Sequence, residues 1–168
     1  MNLFSIFERE KKRIKLLPFK KILWPTDFSE PSYDALKTAH ELAMLFSSEL
    51  YIVHVVTPLP PLVDIPRDRL NFDVPSYLDE LQLSAKKSLQ EIIDKKIEKR
   101  LAVHAVVLYG DAAVEVNRIA ERENIDLIVI ATHGTTGWQR FFFGSVTEKV
   151  ARIASCSVLI IRSPNREE

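Results

Sequence analysis

The sequence predicts an α/β fold built on a five-stranded parallel sheet with helices on both faces. Two observations carry that prediction. Short apolar runs alternate along the 168 residues with segments of helical period, the order βαβαβαβαβ that makes parallel strands and crossover helices. The runs are also apolar without strict alternation, as expected of strands covered on both faces.

The first strand is read at Lys21–Thr26 (KILWPT), closed by Pro25, which cannot donate to a ladder. Ser29 then caps a helix with Pro31 in its first turn. Ala35, Leu36, Ala39, Leu42, Ala43 and Phe46 follow at helical spacing. Leu50–Val56 is the second strand. Thr57 to Pro75 carries five prolines and reads as a loop excursion. A second helix is expected from Ser76 to Arg100 and a third strand from Ala102 to Leu108. Gly110 turns the chain and Asp111 caps the third helix. Ile125–Ala131 is the fourth strand. A loop from Thr132 to Phe143 leads to a fourth helix near Ser145, and Val158–Ile161 is the fifth strand. Sheet orders 3-2-1-4-5 and 2-1-3-4-5 both suit this pattern.

Composition narrows the function classes. An apolar fraction of 46% and a charged fraction of 27% suit one soluble globular domain rather than a disordered chain. Lys plus Arg equals Asp plus Glu at 23 each, so bulk charge gives no reason to expect nucleic acid as a partner. A lone cysteine, Cys156, excludes an intrachain disulfide and favours a cytoplasmic setting. No apolar run is long enough to span a membrane. Residues 1–18 read as an N-terminal extension, flexible or a short helix; 19–163 as the domain; 164–168 as a tail.

In such sheets ligands sit beyond the carboxyl ends of the strands, where the strand order reverses. In the 3-2-1-4-5 order that point lies between strands one and four, at Pro25-Thr26-Asp27 and Ile130-Ala131-Thr132-His133-Gly134. Gly134 and Gly144 admit close approach of a ligand. Gly144-Ser145 opens a helix, whose N–H groups and dipole favour an anion, and Ser145 and Thr147 add hydroxyls. The competing reading of Ser145-Val146-Thr147-Glu148 is a capping box. Asp27 reads either as a carboxylate for a ribose hydroxyl or a phosphate-bound Mg²⁺, or as a turn residue before Ser29. His133 reads either as an exposed loop histidine, the commoner case, or as a contact to phosphate. His54 reads as a buried histidine with one hydrogen bond, and Cys156 as a packed small residue. Trp138 and Phe141–Phe143 make an aromatic-rich loop that packs on the protein itself or meets a partner. Neither a Walker loop nor a GxGxxG fingerprint is present.

Lys20-Lys21-Ile22-Leu23-Trp24-Pro25-Thr26-Asp27-Phe28-Ser29 resembles the opening of universal stress proteins, and Ile128 to Arg162 resembles their closing half. The nucleotide-binding branch carries Gly, two residues, Gly, nine residues, then Gly and Ser or Thr. Here the stretch reads Ala131-Thr132-His133-Gly134, nine residues, Gly144-Ser145. The spacing matches, and Ala131 replaces the first glycine. The resemblance implies strand order 3-2-1-4-5 and a homodimer through Val158–Ile161. It also implies a site for ATP, with Mg²⁺ or Mn²⁺. Adenine would lie near Pro25, Thr26 and the backbone of Val55, with Asp27, Ile130 and Ala131 flanking the adenosine. Gly134, Gly144, Ser145, Val146 and Thr147 would hold the phosphates, with His133 beside them. A regulatory binding module is the expectation. A nucleotide-free interaction dimer and a slow ATPase or autophosphorylating protein are the alternatives. The motif holds neither a general base nor an arginine finger, and Arg140 is its nearest positive charge.

Overall fold

The computed structural model describes residues 17–57, 74–132 and 144–162. The elements run β1 (Lys21–Pro25), α1 (Glu30–Phe46), β2 (Glu49–Val56), α2 (Val74–Lys96), β3 (Val103–Tyr109), α3 (Ala112–Arg122), β4 (Leu127–Ala131), α4 (Ser145–Ile153) and β5 (Ser157–Ile161). All five strands are parallel, in the order β3-β2-β1-β4-β5. Of the two orders open to the sequence pattern, the sheet adopts the one the resemblance implied.

The sheet divides the core in two. Ile22, Trp24, Leu50, Ile52, Leu127 and Val129 pack with Ala35, Leu36 and Ala39 of α1 and Leu89 and Ile92 of α2. Leu23, Tyr51, Val53, Ile128 and Ile130 pack with Ala113, Val116 and Ile119 of α3 and Val150 of α4. Successive strand residues therefore feed opposite faces, and both faces are covered, which explains the unbroken apolar strands.

Local signals place the elements. Ser29 is the N-cap of α1 and accepts from Ser32 N–H, with Pro31 in the first turn. Asp111 caps α3 by accepting from Val114 N–H at 3.0 Å. Gly110 enters that cap at φ +143°, a conformation closed to most side chains. The second helix ends at Lys96 rather than Arg100, and a turn in which Leu101 N–H bonds Glu98 C=O follows it. The expected capping box at Ser145 is absent. Gly144 occupies the N-cap, its carbonyl takes Glu148 N–H, and the Glu148 carboxylate pairs with Arg152 one turn on. No described helix is long and apolar enough to cross a membrane.

Candidate functional site

The strand order reverses between β1 and β4, and the ladder between them is short. Pairing between them is recorded only at Ile22↔Leu127 and Leu23↔Ile128. The cause is Pro25. Thr26 N–H bonds Val53 C=O of β2 at 2.8 Å, so by alternation residue 25 faces β4, where proline has no N–H to offer. In open α/β sheets the crevice at such a reversal, outside the carboxyl ends of the strands, is where ligands bind.

On the β1 side of this crevice, Thr26 is buried and heavily bonded. Its hydroxyl oxygen accepts from Phe28 N–H at 3.0 Å and from Ser32 Oγ at 2.8 Å. Its carbonyl accepts from His54 Nδ1 at 2.8 Å. A carbonyl only accepts, so Nδ1 carries a proton. Phe28 holds a left-handed backbone at φ 64°, which costs a non-glycine residue about 1 kcal/mol. Its ring stacks on His54 with centroids 4.4 Å apart. Asp27 is exposed, and its Oδ1 accepts from Ser29 N–H and Ser29 Oγ. The carboxylate thus performs the turn role while standing at the crevice mouth.

β2 runs past the end of β1. Its odd-numbered residues turn their amide and carbonyl toward β1, as the Val53 carbonyl does. Val55 therefore presents N–H and C=O side by side where β1 has already turned away. Pairing of β1 with β2 stops at Pro25↔Val53.

On the β4 side, Ile130 and Ala131 are buried. The Ala131 methyl belongs to the core on the α1 face, with Trp24 and Val129. Its backbone stays in the strand region. The methyl that replaces the motif's first glycine is thus spent on packing. The Ala131 carbonyl accepts from Thr147 Oγ1 at 2.7 Å. That hydroxyl is buried and serves as a strut between β4 and α4. Gly144 N–H bonds Thr132 C=O at 2.7 Å, so the chain returns to the point where it left β4. His133, Gly134, Arg140 and the aromatic stretch Trp138–Phe143 lie outside the described residues.

Gly144 has φ −57° and ψ 149°, angles open to any residue, and no side chain caps α4. The first helical bond uses Glu148 N–H. The amides of Ser145, Val146 and Thr147 precede it and have no intrahelical acceptor. They lie at the positive end of the helix dipole, beside the end of β4. This arrangement suits a phosphate group.

Two shallow clefts of about 220 and 290 Å³ lie elsewhere. One is near Ser48, Glu49 and Arg100 at the amino ends of the strands, and the other is between α1 and Lys96. Neither touches the crevice, and their places away from the strand carboxyl ends argue against them as the main site. Cys156 is a free thiol. Burial, then the charge of Asp126, raises its pKa above the usual thiol range, which suits packing rather than nucleophilic work. Among the described residues no three His, Cys, Asp or Glu side chains cluster to hold a metal.

A model of the Universal stress protein family matches residues 18–162. Universal stress protein MJ0531 of Methanocaldococcus jannaschii is 35% identical over 149 residues, covering 89% of this chain and 85% of the relative. The structure of protein MJ0577 from the same organism superposes with a TM-score of 0.72 at 30% identity, covering 88% of this chain and 98% of the other. A universal stress protein from Archaeoglobus fulgidus in complex with dAMP superposes with a TM-score of 0.54 at 18% identity, covering 86% of this chain and 98% of the other. At that identity the last likeness is one of fold.

Proposed function

Because the chain belongs to the universal stress protein family, we propose that it is an ATP-binding regulatory module of the stress response. In this reading it is cytoplasmic and dimerises through Val158–Ile161. The observation that carries the nucleotide reading is the start of α4. Three consecutive amides without intrahelical acceptors stand beside the crevice, behind a glycine whose own backbone angles do not require glycine. The nucleotide would lie across the crevice. Its base would bond the Val55 main chain, its ribose would lie near Asp27 and Ala131, and its phosphates would meet Ser145, Val146 and Thr147. A protein of the same fold is known with dAMP, so an adenine nucleotide is within the fold's reach. Mg²⁺ or Mn²⁺, when bound, would neutralise phosphate charge. Asp27 supplies a carboxylate near the crevice mouth.

Calorimetric titration of ATP, with and without Mg²⁺, tests the reading. The wild type binds, and Gly144→Val loses at least about tenfold, or about 1.4 kcal/mol. Valine tolerates the backbone angles at 144, and a thermal melt of the variant separates a loss of folding from a loss of ligand approach. A wild type that takes up no nucleotide overturns the reading and leaves a nucleotide-free dimer.

A further inference from the structure

Val55 can meet a ligand only because two rungs of the β1–β2 ladder are diverted. In a regular parallel pair, Thr26 C=O would accept from Val55 N–H, and Phe28 N–H would donate to Val55 C=O. Neither rung forms, since pairing stops at Pro25↔Val53. The first acceptor is taken by His54 Nδ1 at 2.8 Å. The second donor is turned back onto Thr26 Oγ1 at 3.0 Å. The two diversions are joined, because the Phe28 ring stacks on the His54 ring. His54 lies directly opposite Thr26 in the continued register and pulls the Thr26 carbonyl away from Val55.

We infer that His54 is a positioning residue that holds the Thr26 carbonyl and so keeps the Val55 N–H and C=O open to a purine carrying a 6-amino group. The inference rests on the nucleotide reading above and deepens it. An adjacent donor and acceptor on one strand edge complement a ring nitrogen that accepts and an exocyclic amine that donates. A purine with a 6-oxo group presents the opposite pattern and leaves both Val55 groups facing like groups, a strong basis for rejection. His54 need not touch the base. Its work is done on the β1 carbonyl.

The test uses the full chain as wild type, His54→Leu and His54→Asn, since the asparagine amide nitrogen can stand where Nδ1 stands. Two quantities are read: hydrogen exchange at the Val55 amide against that of Val53, and affinity for ATP and GTP. In the unliganded wild type the Val55 amide exchanges at least about tenfold faster than the ladder-bonded amide of Val53. In His54→Leu the Thr26 carbonyl is released to Val55, whose amide becomes protected. ATP affinity falls about tenfold, and the preference for ATP over GTP narrows. His54→Asn restores the wild-type values. The inference is overturned by a Val55 amide as protected as that of Val53 in the wild type. Weaker ATP binding in His54→Leu with no change at Val55 also overturns it, because His54 would then be merely structural. So does a His54→Leu protein that matches the wild type in both readouts. If the wild type binds neither nucleotide, the base-reading role falls with the nucleotide reading, while exchange at Val55 still decides whether His54 holds the rung open.

Discussion

Thr147 illustrates how a single side chain serves two elements. Its hydroxyl is buried and donates to Ala131 C=O at 2.7 Å, which fastens the start of α4 to the end of β4. That carbonyl faces β1 by alternation, but β1 has left the sheet, so the hydroxyl supplies the bond that a strand would have made. Replacing Thr147 with valine keeps the shape and removes the donor. The expected loss is about 1–3 kcal/mol of unfolding free energy, the cost of a buried unsatisfied carbonyl, with Thr147→Ser close to wild type. Urea denaturation of the three proteins measures it, and equal midpoints for valine and threonine would refute the strut. None of this was legible in the sequence, where Thr147 reads as one more hydroxyl for a phosphate. The same holds for His54. The sequence suggests a histidine with one hydrogen bond, but the partner lies 28 residues away and emerges only from strand register.

At the scale of elements, local chemistry was readable wherever the partner lies within one turn. Ser29 and Asp111 cap the helices that the sequence assigned to them, because a side-chain oxygen two or three residues ahead of a free amide has few other choices. Ser145 shows the limit of that reasoning. It fits a capping box with Glu148, yet Gly144 is anchored to Thr132 C=O and takes the cap position, which moves Ser145 into the helix. The α3 cap also has a pH signature. The Val114 amide, and then the Lys149 ammonium at 2.9 Å, hold the Asp111 carboxyl below its ordinary pKa. A depressed carboxylate stabilises the fold above its unfolded pKa of about 3.9, and that contribution disappears as pH falls through the lower folded value. Asp111→Ala should therefore cost about 1 kcal/mol at pH 7, the usual worth of a cap. The gap between wild type and variant should close below about pH 4. Thermal melts of both proteins across that range check the sign, and a gap that persists at pH 2 would mean the carboxylate's charge is not what holds the cap.

For the molecule as a whole, the sheet's two edges differ in what they offer. β3 carries His104 and Tyr109 exposed along its length. β5 is Ser-Val-Leu-Ile-Ile, has β4 as its recorded partner, and leaves Leu159 36% exposed. A short apolar edge without a charged residue has no defence against pairing with another chain. A second copy is the occupant that the proposed homodimer supplies, with the two β5 edges related by a twofold axis. The dimer and the nucleotide site are then linked through β4 and through α4, whose Val150 lies in the cluster that Val158 and Ile160 join. Ala131 closes one end of that strand at the crevice, and its register partner on β5 is Ile161. Leu159→Lys places a charge in the middle of the edge and should convert a dimer into a monomer in sedimentation experiments. The crevice residues are untouched by that change, so ATP affinity should stay within about twofold if the site is built by one chain. An unchanged sedimentation coefficient for a dimeric wild type would move the interface away from β5. A monomer that also loses ATP would show instead that the partner copy completes the site.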